Sequence, residues 1–445
     1  MAAVLHRMRS AILRGAVIPA LALAAPGARA TEGAAPLFQD ATRESGLAFA
    51  HANGAGGKLE LLAIMGPGVA LLDYDGDGDL DLFLPQGRQL PLSGGKPGGG
   101  GGRLLRNDAQ VGEDGATATG FVDVTAKSGL VADGYGIGVA VGDFDGDGAP
   151  DLLLANLGED RLWRNRGDGT FADVTPPALR RSSWSIGGTF FDADGDGDLD
   201  LYVVDYVEPT PGVKCFAESS RPDYCGPAAY RPLAGRLLRN DGSASATRWA
   251  DVSVASGVGK VTAPGLGVVV ADLDSDGRLD LYVADDGAPN LLWHGRGDGT
   301  FAEEGLLSGT ALSRDGLPRA GMGVDAGDAD GDGDEELFVT NLTGETNTLY
   351  VNDGELLFED RTAEAGLGAP SLPWTGFGTA FVDADLDGRL DLVVVNGAVR
   401  LAQGSAAATP LAQPGQLYRN LGGGRFALAP TTEAGEALAA PAVSR

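Results

Sequence analysis

Residues 69–84 read VALLDYDGDGDLDLFL: a small apolar run, an acidic loop, then a second apolar run. Five more stretches repeat the pattern: VAVGDFDGDGAPDLLL (139–154), GTFFDADGDGDLDLYV (188–203), VVVADLDSDGRLDLYV (268–283), VDAGDADGDGDEELFV (324–339) and TAFVDADLDGRLDLVV (379–394). Self-similarity at a fixed period is the mark of a repeat architecture and is read before any local signal. The closest copies lie about fifty residues apart, and the wider intervals hold insertions.

Working outward, a second recurring pair separates the loops. RLLRND (103–108), RLWRNRGDGTFADVT (161–175), RLLRNDG (236–242), LLWHGRGDGTFAEE (291–304), TLYVNDGELLFEDRT (348–362) and QLYRNLGGGRFA (416–427) each read strand, Asn/Asp/Gly turn, strand. Such turns supply the positive φ that a tight hairpin needs. Each period therefore predicts four short strands in an up-down meander, which is one blade of a propeller. A β-solenoid would use shorter repeats. The expected fold class is all-β, a β-propeller of four-stranded blades with an acidic loop between the first and second strand of each.

Every loop fits D-x-D-x-D-G-x-x-D/E. The acids at positions 1, 3, 5 and 9 are Asp73, Asp75, Asp77 and Asp81; Asp143, Asp145, Asp147 and Asp151; Asp192, Asp194, Asp196 and Asp200; Asp272, Asp274, Asp276 and Asp280; Asp328, Asp330, Asp332 and Glu336; Asp383, Asp385, Asp387 and Asp391. Four carboxylates within nine residues repel one another unless a cation sits among them. Hard oxygen donors at alternating positions, with Gly at position 6 for the turn and a backbone carbonyl at position 7, suit Ca²⁺. Position 7 varies freely (Asp79, Ala149, Asp198, Arg278, Asp334, Arg389), as a carbonyl donor allows. These are not EF-hands: position 12 is Leu or Val inside a strand, where an EF-hand has a bidentate Glu before a helix. Up to six calcium ions are expected, with affinities on the order of 10⁻⁴–10⁻³ M. By charge count the fourth and sixth loops, with Arg at position 7, should bind most weakly.

Gly (71) and Pro (24) make up about a fifth of the chain, far too much for helix interiors, while 43% of residues are hydrophobic, enough for a packed core. The formal charge of −29 opposes nucleic acid and anionic membrane as partners. Residues 1–30 read as a secretory signal. Arg7, Arg9 and Arg14 precede the apolar run GAVIPALALAA (15–25), and Ala28-Arg29-Ala30 offers a cleavage site. The run is too short to span a bilayer, so no membrane insertion is expected. Residues 31–445 form the propeller, and the protein is expected outside the cytoplasm, secreted or periplasmic. Cys215 and Cys225 share a Pro-rich insertion (206–235), and an oxidising compartment favours their pairing. The tract GGKPGGGGG (94–102) reads as a flexible linker.

LFQDATRESGLAF near the start, GPGVALLDYDGDGDLDLFL, the DYCGP insertion, GMGVDAGDADGDGDEELFVTN and the Leu/Tyr-x-x-Asn turns together resemble FG-GAP/VCBS repeat proteins. Among these, the bacterial relatives of cartilage acidic protein are most similar, and the resemblance covers essentially all of 37–445. It implies a seven-bladed propeller akin to the integrin α-subunit head, with Ca²⁺ at matching acidic loops and roles that are mostly adhesion or unassigned. Members usually continue into another acidic loop and an ASPIC/UnbV-type domain, whereas six acidic loops are visible here. Either six blades close the ring, or a seventh is missing and the ring is open, exposing sheet edges prone to self-association. LFQDAT (37–42) matches the fourth-strand pattern and is the candidate closing strand.

An enzyme needs a titratable group poised for chemistry. Beyond the signal only His51 and His294 remain, the acids are committed to metal, and no catalytic residue or organic cofactor site is identified. His294 stands where sibling repeats carry Arg or Val, which favours a strand role; His51 lies in the Gly-rich loop HANGAGGKLE. The expected function is therefore binding, adhesion or scaffolding through loops on a rigid frame, toward a protein or glycan ligand. A polysaccharide-active or sugar-binding propeller is the alternative. The candidate surfaces are the insertions 43–66 and 206–235, with Phe216, Tyr224 and Tyr230; Trp184 and Trp374 read as core.

Overall fold

The computed structural model describes residues 36–54, 59–88, 101–108, 110–111, 117–118, 120–217, 220–242, 248–400 and 411–442. The signal segment and most of the 94–102 tract lie outside them. Six four-stranded antiparallel blades are present among these residues. Their first strands are Ala70–Leu72, Tyr135–Gly142, Ser183–Phe191, Gly265–Ala271, Val324–Gly327 and Gly376–Val382. Within each blade the strands follow chain order, the first pairing the second, the second the third, and the third the fourth. Blades 2 and 3 are also joined where the first strand of blade 3 pairs with the end of the second strand of blade 2, Ser183 and Trp184 with Gly158 and Leu157.

The first strands run innermost, around a channel lined by Val69, Ile137, Ile186, Leu266, Met322 and Phe377, one from each blade. Their close approach explains the recurring inner glycines. A Cβ on Gly138 would stand 1.9 Å from the Ile186 carbonyl oxygen, and one on Gly323 would stand 1.8 Å from that of Phe377. Only Gly allows neighbouring inner strands so near.

The core is a series of wedges between adjacent blades. Phe83 and Leu104 of blade 1 pack with Leu152, Leu154 and Trp163 of blade 2; Tyr282 and Leu292 of blade 4 pack with Leu337 and Tyr350 of blade 5. Alternation along each strand sends one face to the preceding blade and the other to the following one.

The segment expected to close the ring behaves differently from the expectation. Residues 37–42 form no strand, and the fourth strand of blade 6 is its own Phe426–Leu428. Instead the Leu37 and Phe38 amides donate to the Glu433 and Ala434 carbonyls, 2.9 and 3.1 Å away, in the helical turn after that strand. Phe38 nevertheless occupies the place of a next blade's outer strand. A Cβ on Gly435 would lie 2.0 Å from the Phe38 carbonyl, just as one on Gly366 would lie 2.7 Å from that of Phe426. On its other side, the Phe121 amide donates to Ser45 O at 2.8 Å, matching Phe426 to Ala365 O at 2.8 Å. Residues 37–47 thus stand at a seventh position between blades 6 and 1. The inner-strand faces turned toward that position stay open, with Val69 and Leu71 each 58% exposed and Val382 38% exposed.

Candidate metal centres and channel mouth

Each acidic loop is folded by its own carboxylates. The position-1 acid wraps the loop onto itself: Asp73 accepts the amides of Gly76 and Asp77 on Oδ1 and of Gly78 on Oδ2, at 2.8–3.1 Å. Asp143, Asp192, Asp272 and Asp383 likewise accept the position-6 amide. Gly at position 6 takes φ between 84° and 102° in all six loops, a region closed to most side chains. Position 4 is also left-handed in all six, and there the fourth and sixth loops carry Ser275 (φ 59°) and Leu386 (φ 61°) where the others carry Gly.

The position-9 acid is buried and anchors the loop to the third strand. Asp151 accepts the Phe144 amide on Oδ2 (3.1 Å) and the Asn165 amide on Oδ1 (2.7 Å); Asp81, Asp200, Asp280 and Asp391 each accept the amide at the equivalent third-strand residue. Burial drives its pKa up: Asp81 and Asp280 to about 6, Asp200 and Glu336 to about 7, Asp151 to about 8, with backbone amides opposing the shift.

Positions 1, 3 and 9 converge. The carboxylate oxygens of Asp73, Asp75 and Asp81 lie within 4.8 Å of one another, as do those of Asp143, Asp145 and Asp151, of Asp192, Asp194 and Asp200, and of Asp272, Asp274 and Asp280. Several acidic clusters can therefore hold a metal ion. The fit to a hard cation rests on unspent donors: Asp75 Oδ1, Asp194 Oδ1, Asp385 Oδ1 and Glu336 Oε1 are buried and accept no hydrogen bond. Buried oxygens left this way are costly unless something binds them. The position-5 acids Asp77, Asp147, Asp196, Asp276, Asp332 and Asp387 sit at the loop rim, and each accepts the position-7 amide. In the fourth and sixth loops the position-7 arginines, Arg278 and Arg389, also ion-pair with Asp276 and Asp387.

Two contacts escaped the sequence reading. The Asn ending the third strand was legible only as a turn residue, yet its Nδ2 clips the preceding blade's acidic loop. Asn165 donates to Tyr74 O (2.8 Å), Asn240 to Phe144 O (2.8 Å), Asn352 to Leu273 O (2.9 Å) and Asn420 to Ala329 O (2.7 Å). Gly295 replaces it in blade 4, and there the Gly299 amide takes over, donating to Ala193 O at 3.1 Å. Three residues before that Asn, Leu162, Leu237, Leu349 and Leu417 are buried in the core, so the Leu-x-x-Asn turn is an interblade clip.

The second concerns the opposite end of the channel, where strands 2 and 3 connect. The insertions 43–66 and 206–235 meet there: Leu61, Ile64 and Met65 pack with Tyr206, Val207 and, half-buried, Tyr224 and Tyr230. The Cys215–Cys225 disulfide is formed, with Cα atoms 5.1 Å apart. Phe216 points outward, exposed. Beneath lies a small, partly open cavity of about 50 Å³, lined by Leu61, Met65, Tyr206, Tyr224, Asp286 and Phe377 among others. The Tyr206 hydroxyl donates to Asp286 Oδ2 at 2.6 Å, and burial raises that carboxyl's pKa to about 6. Of the remaining candidates, Trp184 is core, stacked edge-to-face on Tyr206 at 5.1 Å, whereas Trp374 is only half-buried. His51 Nε2 accepts the Gly87 amide at 3.3 Å. Of the 94–102 tract only Gly101 and Gly102 are among the described residues, and Gly102 donates to Ala132 O at 3.0 Å.

The FG-GAP-like repeat family matches residues 143–203, 272–339 and 328–394. Cartilage acidic protein 1 of Homo sapiens is 28% identical over 244 residues, covering 51% of this chain and 34% of that protein. The Xenopus tropicalis protein is 26% identical over 314 residues, covering 66% and 43%. The chain thus spans less than half the length of these curated relatives. Among solved structures, an Agrocybe aegerita lectin that recognises non-reducing terminal N-acetylglucosamine aligns over 81% of this chain and 78% of its own, at 16% identity and TM-score 0.43. The V. cholerae biofilm matrix protein Bap1 aligns over 66% and 38%, at 15% identity and TM-score 0.35. With its repeated acidic loops, four-stranded blades and matched segments, the chain carries FG-GAP-like repeats.

Proposed function

We propose that this protein is an exported, calcium-stabilised binding module and not an enzyme. The observation that carries the calcium reading is the set of buried, hydrogen-bond-free carboxylate oxygens converging in the acidic loops. Calcium would bind through positions 1, 3, 5 and 9 and hold each first hairpin against carboxylate repulsion. The disulfide fits an oxidising compartment. Among the described residues no helix is long and apolar enough to cross a membrane.

Recognition is assigned to the channel mouth, where the two insertions are gathered over an apolar cavity with a single acid–phenol pair. A rigid frame presenting irregular loops at one end suits binding of a protein or glycan. Calcium should raise the melting temperature of chelator-treated protein by mass action. Unchanged melting with millimolar calcium, and no metal on elemental analysis, would end the calcium reading. A glycan array and a panel of extracellular proteins, with and without chelator, test recognition. Turnover of any polysaccharide would overturn the non-enzyme assignment.

A further inference from the structure

In blades 2, 3, 4 and 6 the fourth residue of the third strand meets its own blade's acidic loop. Arg164 ion-pairs with Asp145 and Asp147, Arg239 approaches Asp194, and Arg419 pairs with Asp385 and Asp391. An arginine there can only neutralise the loop, because guanidinium has no lone pair to give. Blade 4 differs. His294 takes that register, its Nε2 3.2 Å from Asp274 Oδ2 and 3.7 Å from Asp276 Oδ2. Nε2 is shielded from solvent and makes no hydrogen bond. The other ring nitrogen, Nδ1, faces Glu304 Oε2 at 3.7 Å. The ligand atoms of Asp274, Asp276 and His294 lie within 4.8 Å of one another.

We infer that Asp274, Asp276 and His294 form a site for a first-row transition-metal ion, distinct in chemistry from the all-oxygen sites of the other five loops. Neutral imidazole is a good ligand for Zn²⁺, Co²⁺, Ni²⁺ and Cu²⁺ but adds little for Ca²⁺, which prefers oxygen. A carboxylate beyond the ring is the usual outer partner of a metal-bound histidine; it fixes the tautomer that leaves Nε2 unprotonated toward the metal. Glu304 is the carboxylate on that side of the ring, 3.7 Å from Nδ1 and beyond hydrogen-bond length. The fourth loop also carries the two features expected to weaken calcium, Arg278 on Asp276 and Ser275 in a left-handed conformation. The inference rests on the acidic loops being cation sites, and adds that one of them has changed its metal class.

The test uses the full chain with His6 and His51 replaced by Gln, so that any imidazole signal comes from His294. Metal-free protein is titrated with Cu²⁺ and followed by electron paramagnetic resonance, and with Zn²⁺ by calorimetry, each in millimolar calcium. Nitrogen superhyperfine coupling from one imidazole, and one Zn²⁺ equivalent bound more than roughly tenfold tighter than in His294→Arg, are expected. Arg is what four sibling blades carry, so His294→Arg should fold; His294→Gln provides a second variant. Equal zinc binding in wild type and both variants, or copper bound without nitrogen coupling, would overturn the site. Calcium heats that persist in all variants would show that the acidic-loop reading stands on its own; their absence in every protein would mean that reading had failed first.

Discussion

Single residues set how far each repeat departs from its siblings. Leu386 is 88% exposed and held at φ 61°, a conformation that costs a β-carbon-bearing residue about 1–2 kcal/mol. Four sibling loops have Gly there. Leu386→Gly should therefore raise stability by about 0.5–1 kcal/mol, after the entropy glycine adds to the unfolded chain, and tighten calcium at the sixth loop. Denaturant melts and calorimetry would read both; an unchanged midpoint would refute the strain argument. A second residue, Asp285, is fully buried in blade 4, and neither of its oxygens accepts a hydrogen bond of ordinary geometry. Its counterpart Asp205 meets Arg236 at 2.6 Å, and Arg236 also meets Asp160 at 2.7 Å. In blade 4 Leu291 replaces that arginine, while blades 2, 5 and 6 carry Asn156, Asn341 and Asn396 at the acid's place. Burial lifts the Asp285 pKa well above its ordinary value of 3.8. The folded state thus favours the neutral acid, so its contribution is complete below pH 3.8 and is lost as pH rises toward the raised value. Asp285→Asn should stabilise the protein at pH 7–8 by about 1–3 kcal/mol and flatten its stability against pH above 4. Lower stability at pH 8 in that variant would show that the carboxylate is satisfied in solution.

At the scale of the element, the acidic hairpin is held from both sides. Its own position-9 acid ties it to the third strand, and the next blade's asparagine clips its position-2 carbonyl. Removing that clip leaves a buried carbonyl without its donor. Asn420→Ala should cost about 1–3 kcal/mol and speed hydrogen exchange in the fifth loop as well as in the sixth blade. Exchange altered only within blade 6 would deny the interblade role. The hairpin itself was readable from residues 69–84, because turn chemistry and alternation are local. The clip was not, because donor and acceptor sit 91 positions apart in the Asn165–Tyr74 and Asn420–Ala329 pairs.

For the whole molecule, the ring depends on a segment that the repeat count misses. Residues 37–47 carry the outer-strand motif, and they join blade 6 to blade 1 through the contacts of Phe38, Ser45 and Gly435. Phe38→Asp should lower the melting temperature and open exchange at the 431–439 turns and the 121–123 strand together. A change confined to 37–47 itself would mean the segment only rests on the ring. The motif match pointed to an outer-strand position for this stretch, yet it forms no strand: strand pairing needs a third-strand neighbour, and blade 6 has already supplied its own partner for that edge.

By itself the sequence determined the blade: six copies of one acidic hairpin, with carboxylates at fixed spacing, specify strand and turn through interactions within a dozen residues. Only the tertiary structure decided which of those hairpins touch. It brought His294 to face Asp274 and Asp276, left Asp285 without the arginine its neighbour has, and gathered two distant insertions over one channel mouth. Contacts between blades depend on how the sheets are arranged around the channel, and no local pattern encodes that arrangement.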